Sequence, residues 1–164
     1  MNSPPAPAAT GTGTPSLADY VGRRRIHPRA HATTRDDLLA ALAHGLHAAG
    51  AVSDARAFAS AVRRRMSRGA TGFHGIALLA ARSRAVSAPA AAFARVPARL
   101  GWRGTDGRPV SDVFVLAVPK KLQDPHAAQV FSLLARHSAH PGFHRLLRAA
   151  HTTDDLYELF RLVR

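Results

Sequence analysis

The chain has 164 residues, no cysteine and a formal net charge of +13 at pH 7. This length predicts one domain, whose core buries about 70% of the unfolded surface. The absence of cysteine excludes disulfides, thiolate metal sites and cysteine nucleophiles. The first residues lack the apolar core of a signal peptide, and no apolar run reaches the roughly 18 to 20 residues that span a bilayer. We therefore expect a cytoplasmic protein without membrane insertion.

Arginine supplies 21 of the 23 basic residues, so an anionic partner has to be considered. The arginines are spread along the whole chain, which favours a solvated basic surface. A nucleic-acid footprint built on residues 23–25 and 63–68 is the alternative interpretation.

Residues 1–30 are rich in proline and alanine and end in a basic run, which predicts a flexible arm. A single folded domain is expected over residues 31–164. An alternative for the arm pairs part of it as a short edge strand. The residues of that strand would be Ala18, Tyr20, Val21 and Ile26.

Capping signals predict two helices at the start of the domain. Thr34 with Asp37 forms a capping box pattern ahead of leucines at helical spacing, and Gly50 ends this helix. Ser53 is the expected cap of the second helix, which runs into the arginines before residue 69.

The stretch from Gly69 to Arg82 combines three glycines with a short apolar run. The glycines, at positions 69, 72 and 75, permit a turn with positive φ. Residues 76–79 are apolar without alternation, as in a strand buried on both faces.

Between Arg82 and residue 118, the sequence predicts a short helix followed by a hairpin. The alanine-rich segment between two prolines suggests the helix over residues 90–94. An Asp-Gly pair at Asp106 and Gly107 is a strong hairpin signal, with strands at 100–103 and 110–118.

Three helices are predicted after Pro119. Asp124 and Pro125 form an N-cap and first-turn pair, and Pro141 opens the next helix. Thr152 with Asp155 caps the last one. Strands alternating with helices indicate an α/β sandwich of three-layer type, with a mixed central sheet flanked by helices.

Two segments resemble the type 2 enzyme IIA domains of the bacterial phosphoenolpyruvate-dependent sugar phosphotransferase system. This family includes fructose- and mannitol-specific members and nitrogen-regulatory members. The first segment resembles the motif Thr-Gly-x-Gly-x-Gly-Ile-Ala-Leu-Pro-His-Ala-Arg, with a turn one residue shorter. The second, residues 106–119, matches Asp-Gly-x-Pro-Val-x-x-Val-Phe-x-Leu-Ala-Val-Pro. The residues that fit the first motif are Thr71, Gly72, Gly75, Ile76, Ala77, Leu78, Ala81 and Arg82.

The resemblance covers residues 33–163 and implies an enzyme IIA type 2 fold. It also implies an active site that lacks its phospho-accepting histidine. Ala80 occupies the position of the phospho-accepting histidine, and Leu79 that of the preceding proline. Arg65 and His126 fall on an arginine and a histidine that border the family's site, whereas Met66 replaces a glutamate. A methyl group cannot act as a nucleophile.

The leading hypothesis is therefore an enzyme IIA-like protein without phosphocarrier activity that regulates by stoichiometric binding, as nitrogen-regulatory members act. Its partner would be a phosphocarrier protein or a regulated target protein, and no cofactor is implied. A working phosphocarrier that uses a displaced histidine, His74 or His126, is the alternative. The third hypothesis is the basic nucleic-acid-binding module.

Histidines 137, 140 and 144 have a spacing that permits a metal site on paper. No cysteine or carboxylate completes the set, so the sequence favours a solvated polar face, and we expect no metal.

Overall fold

The computed structural model describes residues 13–67 and 74–164, which form a mixed four-stranded sheet between two layers of helices. The strands are β1 (Ile26–His27), β2 (Ile76–Ser83), β3 (Ala90–Arg95) and β4 (Asp112–Pro119). The helices are α1 (Leu17–Val21), α2 (Arg35–Ala48), α3 (Ala55–Ser67), α4 (Pro125–His137), α5 (Pro141–Ala149) and α6 (Thr153–Phe160).

Strand β4 is one of the two inner strands of the sheet, whose order is β1-β3-β4-β2. It runs parallel to β2 and antiparallel to β3, and β1 pairs with β3 in parallel. The register places Ala80 of β2 beside Leu116 of β4. All but the last residue of β4 are buried, which explains the apolar run that follows Asp112.

The period of two along the strands divides the core into two clusters. One face of β2 and β4, with Leu79 and Val115, packs against α2 and α3. The other face, with Phe114 and Leu116, packs against α1 and the three C-terminal helices. The structure confirms the predicted three-layer α/β sandwich with a mixed sheet.

Three phenylalanines pack the C-terminal helix α6 against the sheet. The ring centroids of Phe93 and Phe114 lie 4.9 Å apart on neighbouring strands, and Phe160 lies 5.3 and 5.4 Å from them. Such tilted and edge-on contacts add about 0.5 to 1.5 kcal/mol per pair to the burial of the rings.

Most predicted helix starts are confirmed. The hydroxyl of Thr34 accepts the Asp37 N–H, and that of Thr152 accepts the Asp155 N–H. Asp124 caps α4, and Pro125 stands in its first turn. Ser53 does not cap α3, because Asp54 accepts the Ala57 N–H and Ser53 instead bonds the Ala85 carbonyl.

The predicted flexible arm extends too far along the chain. Residues 17–21 form α1, and Leu17 and Val21 are fully buried. The Leu17 N–H donates to the carbonyl of Val163 at 2.8 Å. The alternative edge strand is correct only for Ile26, since Ala18 and Tyr20 are helical.

Residues 90–94 form strand β3 and not the predicted short helix. Alanine favours helices, but all six residues of β3, positions 90–95, pair with β4, and the small side chains fit between the two helix layers. The predicted hairpin is reduced, among the described residues, to an isolated bridge between Arg103 and Pro109. Gly107 has a φ of 76°, as the turn requires.

Candidate functional site

Ala80 lies in β2, which is an edge strand, and its side chain is exposed. By alternation it shares a face with Ile76 and Leu78, which pack toward the C-terminal helices. The position is therefore accessible to a partner molecule.

Helix α4 follows the carboxyl end of β4, the edge of the sheet toward which β2 also runs. Strands β2 and β4 are parallel, so their carboxyl ends share one edge. Helix α4 begins six residues after the end of β4. His126 is exposed in its first turn, and its backbone N–H donates to Oδ1 of Asp124 at 2.9 Å. Arg82 also reaches this edge, where Nη1 donates to the carbonyl of Lys120 at 3.3 Å.

Asp124 has a second partner that sequence reasoning missed. The Tyr20 hydroxyl donates to Oδ2 of Asp124 at 3.3 Å, and the Tyr20 ring lies edge-on to Phe131, 5.6 Å between centroids. Burial raises the pKa of Tyr20 to about 12, and the charge and hydrogen bond of Asp124 add to the shift. The contact joins residues 104 apart, so no local pattern could have found it.

Arg65 lies exposed in the last turn of α3, whereas Met66 is partly buried against the core. Arg65 forms no salt bridge with any residue in the ranges 13–67 and 74–164. Residues 68–73, which follow α3, are not among the described residues. The predicted glycine turn at positions 69 and 72 therefore lies outside the described part of the chain.

His74 lies two residues before the first residue of β2, with a positive φ of 53°. Its N–H donates to Oδ2 of Asp106 at 2.9 Å, and Nη1 of Arg108 lies 3.5 Å from its Nδ1. The ring of His144 lies edge-on at 6.0 Å between centroids. The hydrogen bonds from the His74 and Arg108 backbone lower the pKa of Asp106.

The two candidate histidines lie at opposite ends of the sheet. His74 precedes the first residue of β2, and four residues, about 13 Å at the rise of a strand, separate Ile76 from Ala80. His126 follows the carboxyl end of β4 in the chain, whereas His74 precedes the amino end of β2.

Gly75 is the glycine of the motif whose conformation the structure describes. Its φ is 86°, and a Cβ at this position would lie 3.3 Å from Oγ of Ser111. Its carbonyl accepts the N–H groups of Ser111 and Asp112. The predicted need for positive φ is confirmed at this residue.

A buried ion pair, also missed from sequence, lies beyond this turn. Nε of Arg95 is 3.0 Å from Oδ1 of Asp112, and Nη1 and Nη2 donate to the carbonyls of Ala150 and Leu147. Burial raises the pKa of Asp112, and the charge of Arg95 opposes that shift. The pair ties the end of α5 to strands β3 and β4.

Of the histidines at 137, 140 and 144, the side chains of His137 and His144 have contacts within the protein. His144 Nε2 lies 2.6 Å from the carbonyl of Ser138, to which it donates, and the His137 ring lies 5.7 Å from that of Phe143. Within residues 13–67 and 74–164, no group of three or more His, Asp or Glu side chains is arranged to hold a metal ion. No helix in these ranges is both long and apolar enough to cross a membrane.

The sequence matches one protein family over nearly its whole length. Residues 20–162 match the family described as phosphoenolpyruvate-dependent sugar phosphotransferase system, EIIA 2. The chain belongs to this family. The enzyme IIA resemblance predicted from two segments is therefore confirmed, and the match begins inside the predicted arm, within α1.

Solved enzyme IIA structures share the fold. Nitrogen regulatory protein IIA-Ntr from Neisseria meningitidis has a TM-score of 0.75 at 21% identity, covering 88% of this chain and 98% of its own. The mannitol IIA of Escherichia coli has a TM-score of 0.61 at 22% identity, covering 85% and 98%. Mannitol IIA in complex with phosphorylated enzyme IIB, also from Escherichia coli, has a TM-score of 0.62 at 21% identity, covering 85% and 96%.

Proposed function

We propose that this enzyme IIA homologue does not carry phosphate and instead regulates a partner by stoichiometric binding. The observation that carries the proposal is Ala80, which stands exposed where the family motif has its phospho-accepting histidine. Phosphoryl transfer to a protein side chain requires a nucleophilic atom in line with phosphorus. The methyl group of Ala80 has no lone pair to offer.

The edge of the sheet toward which β2 and β4 run suits an anion. Arg82 and Lys120 are exposed at this edge, and His126 lies in the first turn of α4, where the helix dipole favours negative charge. These groups could stabilise a phosphoryl group that another protein carries. This arrangement supports a role in binding a phosphorylated or acidic partner without accepting its phosphoryl group.

The direct test is the intact mass of the protein after incubation with phosphoenolpyruvate, enzyme I and the phosphocarrier protein. Wild type is expected to stay unmodified, and Ala80→His is expected to gain one phosphoryl group. This result would mean that the docking surface survives without the acceptor. A phosphoryl group on the wild type overturns the proposal.

A working carrier that uses His74 is the second candidate, favoured by the contact of Arg108 with Nδ1 of this residue. An adjacent guanidinium can stabilise charge on a transferred phosphoryl group. If the wild type is labelled, His74→Gln and His126→Gln identify the acceptor. Loss of the label in only one of the two variants identifies the acceptor histidine.

Nucleic-acid binding through residues 23–25 is less favoured. Arg23 pairs with Asp154 at 2.9 Å and stacks on the Tyr157 ring at 3.9 Å. The guanidinium of Arg25 donates to the carbonyls of Tyr20 and Ala91. Two of the three arginines therefore have contacts within the protein. Binding to duplex DNA that weakens steeply with salt would support this third function.

A further inference from the structure

An exposed groove of about 460 Å³ lies between α2 and α3, on the helix layer that faces away from the C-terminal helices. Its walls include Arg56, Ser60 and Arg63 of α3 and His44 of α2. Ala40 of α2 and Ala59 of α3 also line it. We propose that this groove docks an acidic helix of the partner protein, an inference that rests on the binding role proposed above.

The charge of α3 favours an anionic occupant. The helix contains four arginines and no acidic residue, and the three arginines in its last two turns are exposed. Asp36 approaches Arg63 at 3.7 Å, but the two side chains are 68% and 44% exposed. Such an exposed ion pair contributes little free energy. A carboxylate of a partner can therefore compete with Asp36 for the guanidinium of Arg63.

The spacing of the cations matches a helix. Arg56 and Arg63 are seven residues apart on α3, which is two turns or about 10.5 Å, with Ser60 between them on the same face. Two carboxylates seven residues apart on a partner helix have the same separation. An acidic helix that lies along α3 can therefore pair with both arginines at once.

The alanines that line the groove favour protein over nucleic acid. Alanine side chains allow a second helix to approach closely and to bury apolar atoms between the charged pairs. A nucleic-acid backbone presents phosphates and sugars, which gain little from an alanine surface. The groove therefore suits an amphipathic segment with small apolar residues between two acidic ones.

The test uses the full-length protein and three designed peptides. Each is an 18-residue acetylated helix of alanine and glutamine. The first has Glu at positions 6 and 13, on one face. The second has Glu at positions 6 and 15, on opposite faces, so its charge is the same. The third has Gln at positions 6 and 13. Binding is measured from amide shifts in ¹H–¹⁵N spectra at low salt.

The first peptide is expected to bind about fivefold more tightly than the second, with shifts concentrated on α2 and α3, since two exposed ion pairs contribute modestly. The double variant Arg56→Gln/Arg63→Gln should remove the difference. Arg145→Gln/Arg148→Gln, which removes two exposed arginines from α5, should keep it.

Three results of the peptide experiment overturn the groove proposal. The first is equal binding of the first two peptides, and the second is a difference in binding that survives in the Arg56→Gln/Arg63→Gln variant. The third is displacement of the first peptide by a 20-base-pair DNA duplex whose own binding requires Arg56 and Arg63. Self-association of the protein through α3 would also overturn it. Phosphorylation of the wild type would instead end the proposed regulatory function and leave the peptide result standing, so the two failures are distinguishable.

Discussion

Arg95 and Asp112 form an ion pair in which the two side chains are 25% and 7% exposed. They belong to neighbouring antiparallel strands and are partners in the register of β3 and β4. The same guanidinium donates to two carbonyls at the end of α5. One arginine therefore joins the sheet to the C-terminal helix layer, beside the turn that contains His74 and Gly75.

Arg95→Leu should lower the free energy of unfolding by about 3 kcal/mol, because it leaves the carboxylate of Asp112 buried without its partner. Urea denaturation measures the loss. The control is Arg161→Leu, which removes the exposed pair with Glu158 and should cost less than about 1 kcal/mol. Equal losses in the two variants would show that the Arg95 pair has no special role.

Leu17→Ala should lower the free energy of unfolding by about 3 kcal/mol, because Leu17 is fully buried and its loss leaves a cavity. Leu162→Ala is the matched control, since Leu162 is 68% exposed, and should change stability by no more than about 0.5 kcal/mol. The comparison decides whether α1 is part of the folded domain. A negligible effect of Leu17→Ala would indicate that residues 17–21 belong to a flexible arm and not to the folded domain.

Tyr20 should ionise near pH 12 in the folded protein, which the near-ultraviolet absorbance of phenolate can follow in a Tyr157→Phe variant. Its pKa in the folded state is raised above the ordinary value of 10.0, so its contribution to stability is complete below pH 10 and is lost as pH rises toward 12. Asp124→Ala should lower the midpoint, because it removes a negative charge and a hydrogen-bond acceptor. An unchanged midpoint in that variant would rule out the contact with Asp124.

Ala80→His should change the free energy of unfolding by no more than about 0.5 kcal/mol, because the side chain at this edge-strand position is exposed. Thermal or urea denaturation provides the measurement. Leu79→His is the matched control, since Leu79 is fully buried and an imidazole there would have to enter the core. A large loss in Ala80→His would mean that the side chain at position 80 is not accessible to solvent.

Several elements could be predicted because their signals are local. The caps at Thr34, Asp124 and Thr152 act within three residues, and most of the strand predicted over 110–118 is visible as an apolar run that begins at Val113. The family motifs predicted the enzyme IIA fold for the same reason, since they are short runs of adjacent residues. The absence of a histidine at position 80 is also a fact of the sequence.

Tertiary structure alone decided the features that depend on distant partners. Residues 90–95 have the composition of a helix and become a strand because β4 lies beside them. Helix α1 is ordered by burial against the C-terminal helices, and Tyr20 finds Asp124 across 104 residues. The groove between α2 and α3 likewise exists only once two helices pack together. In each case the deciding energy comes from burial or pairing between segments far apart in the chain, which no local pattern contains.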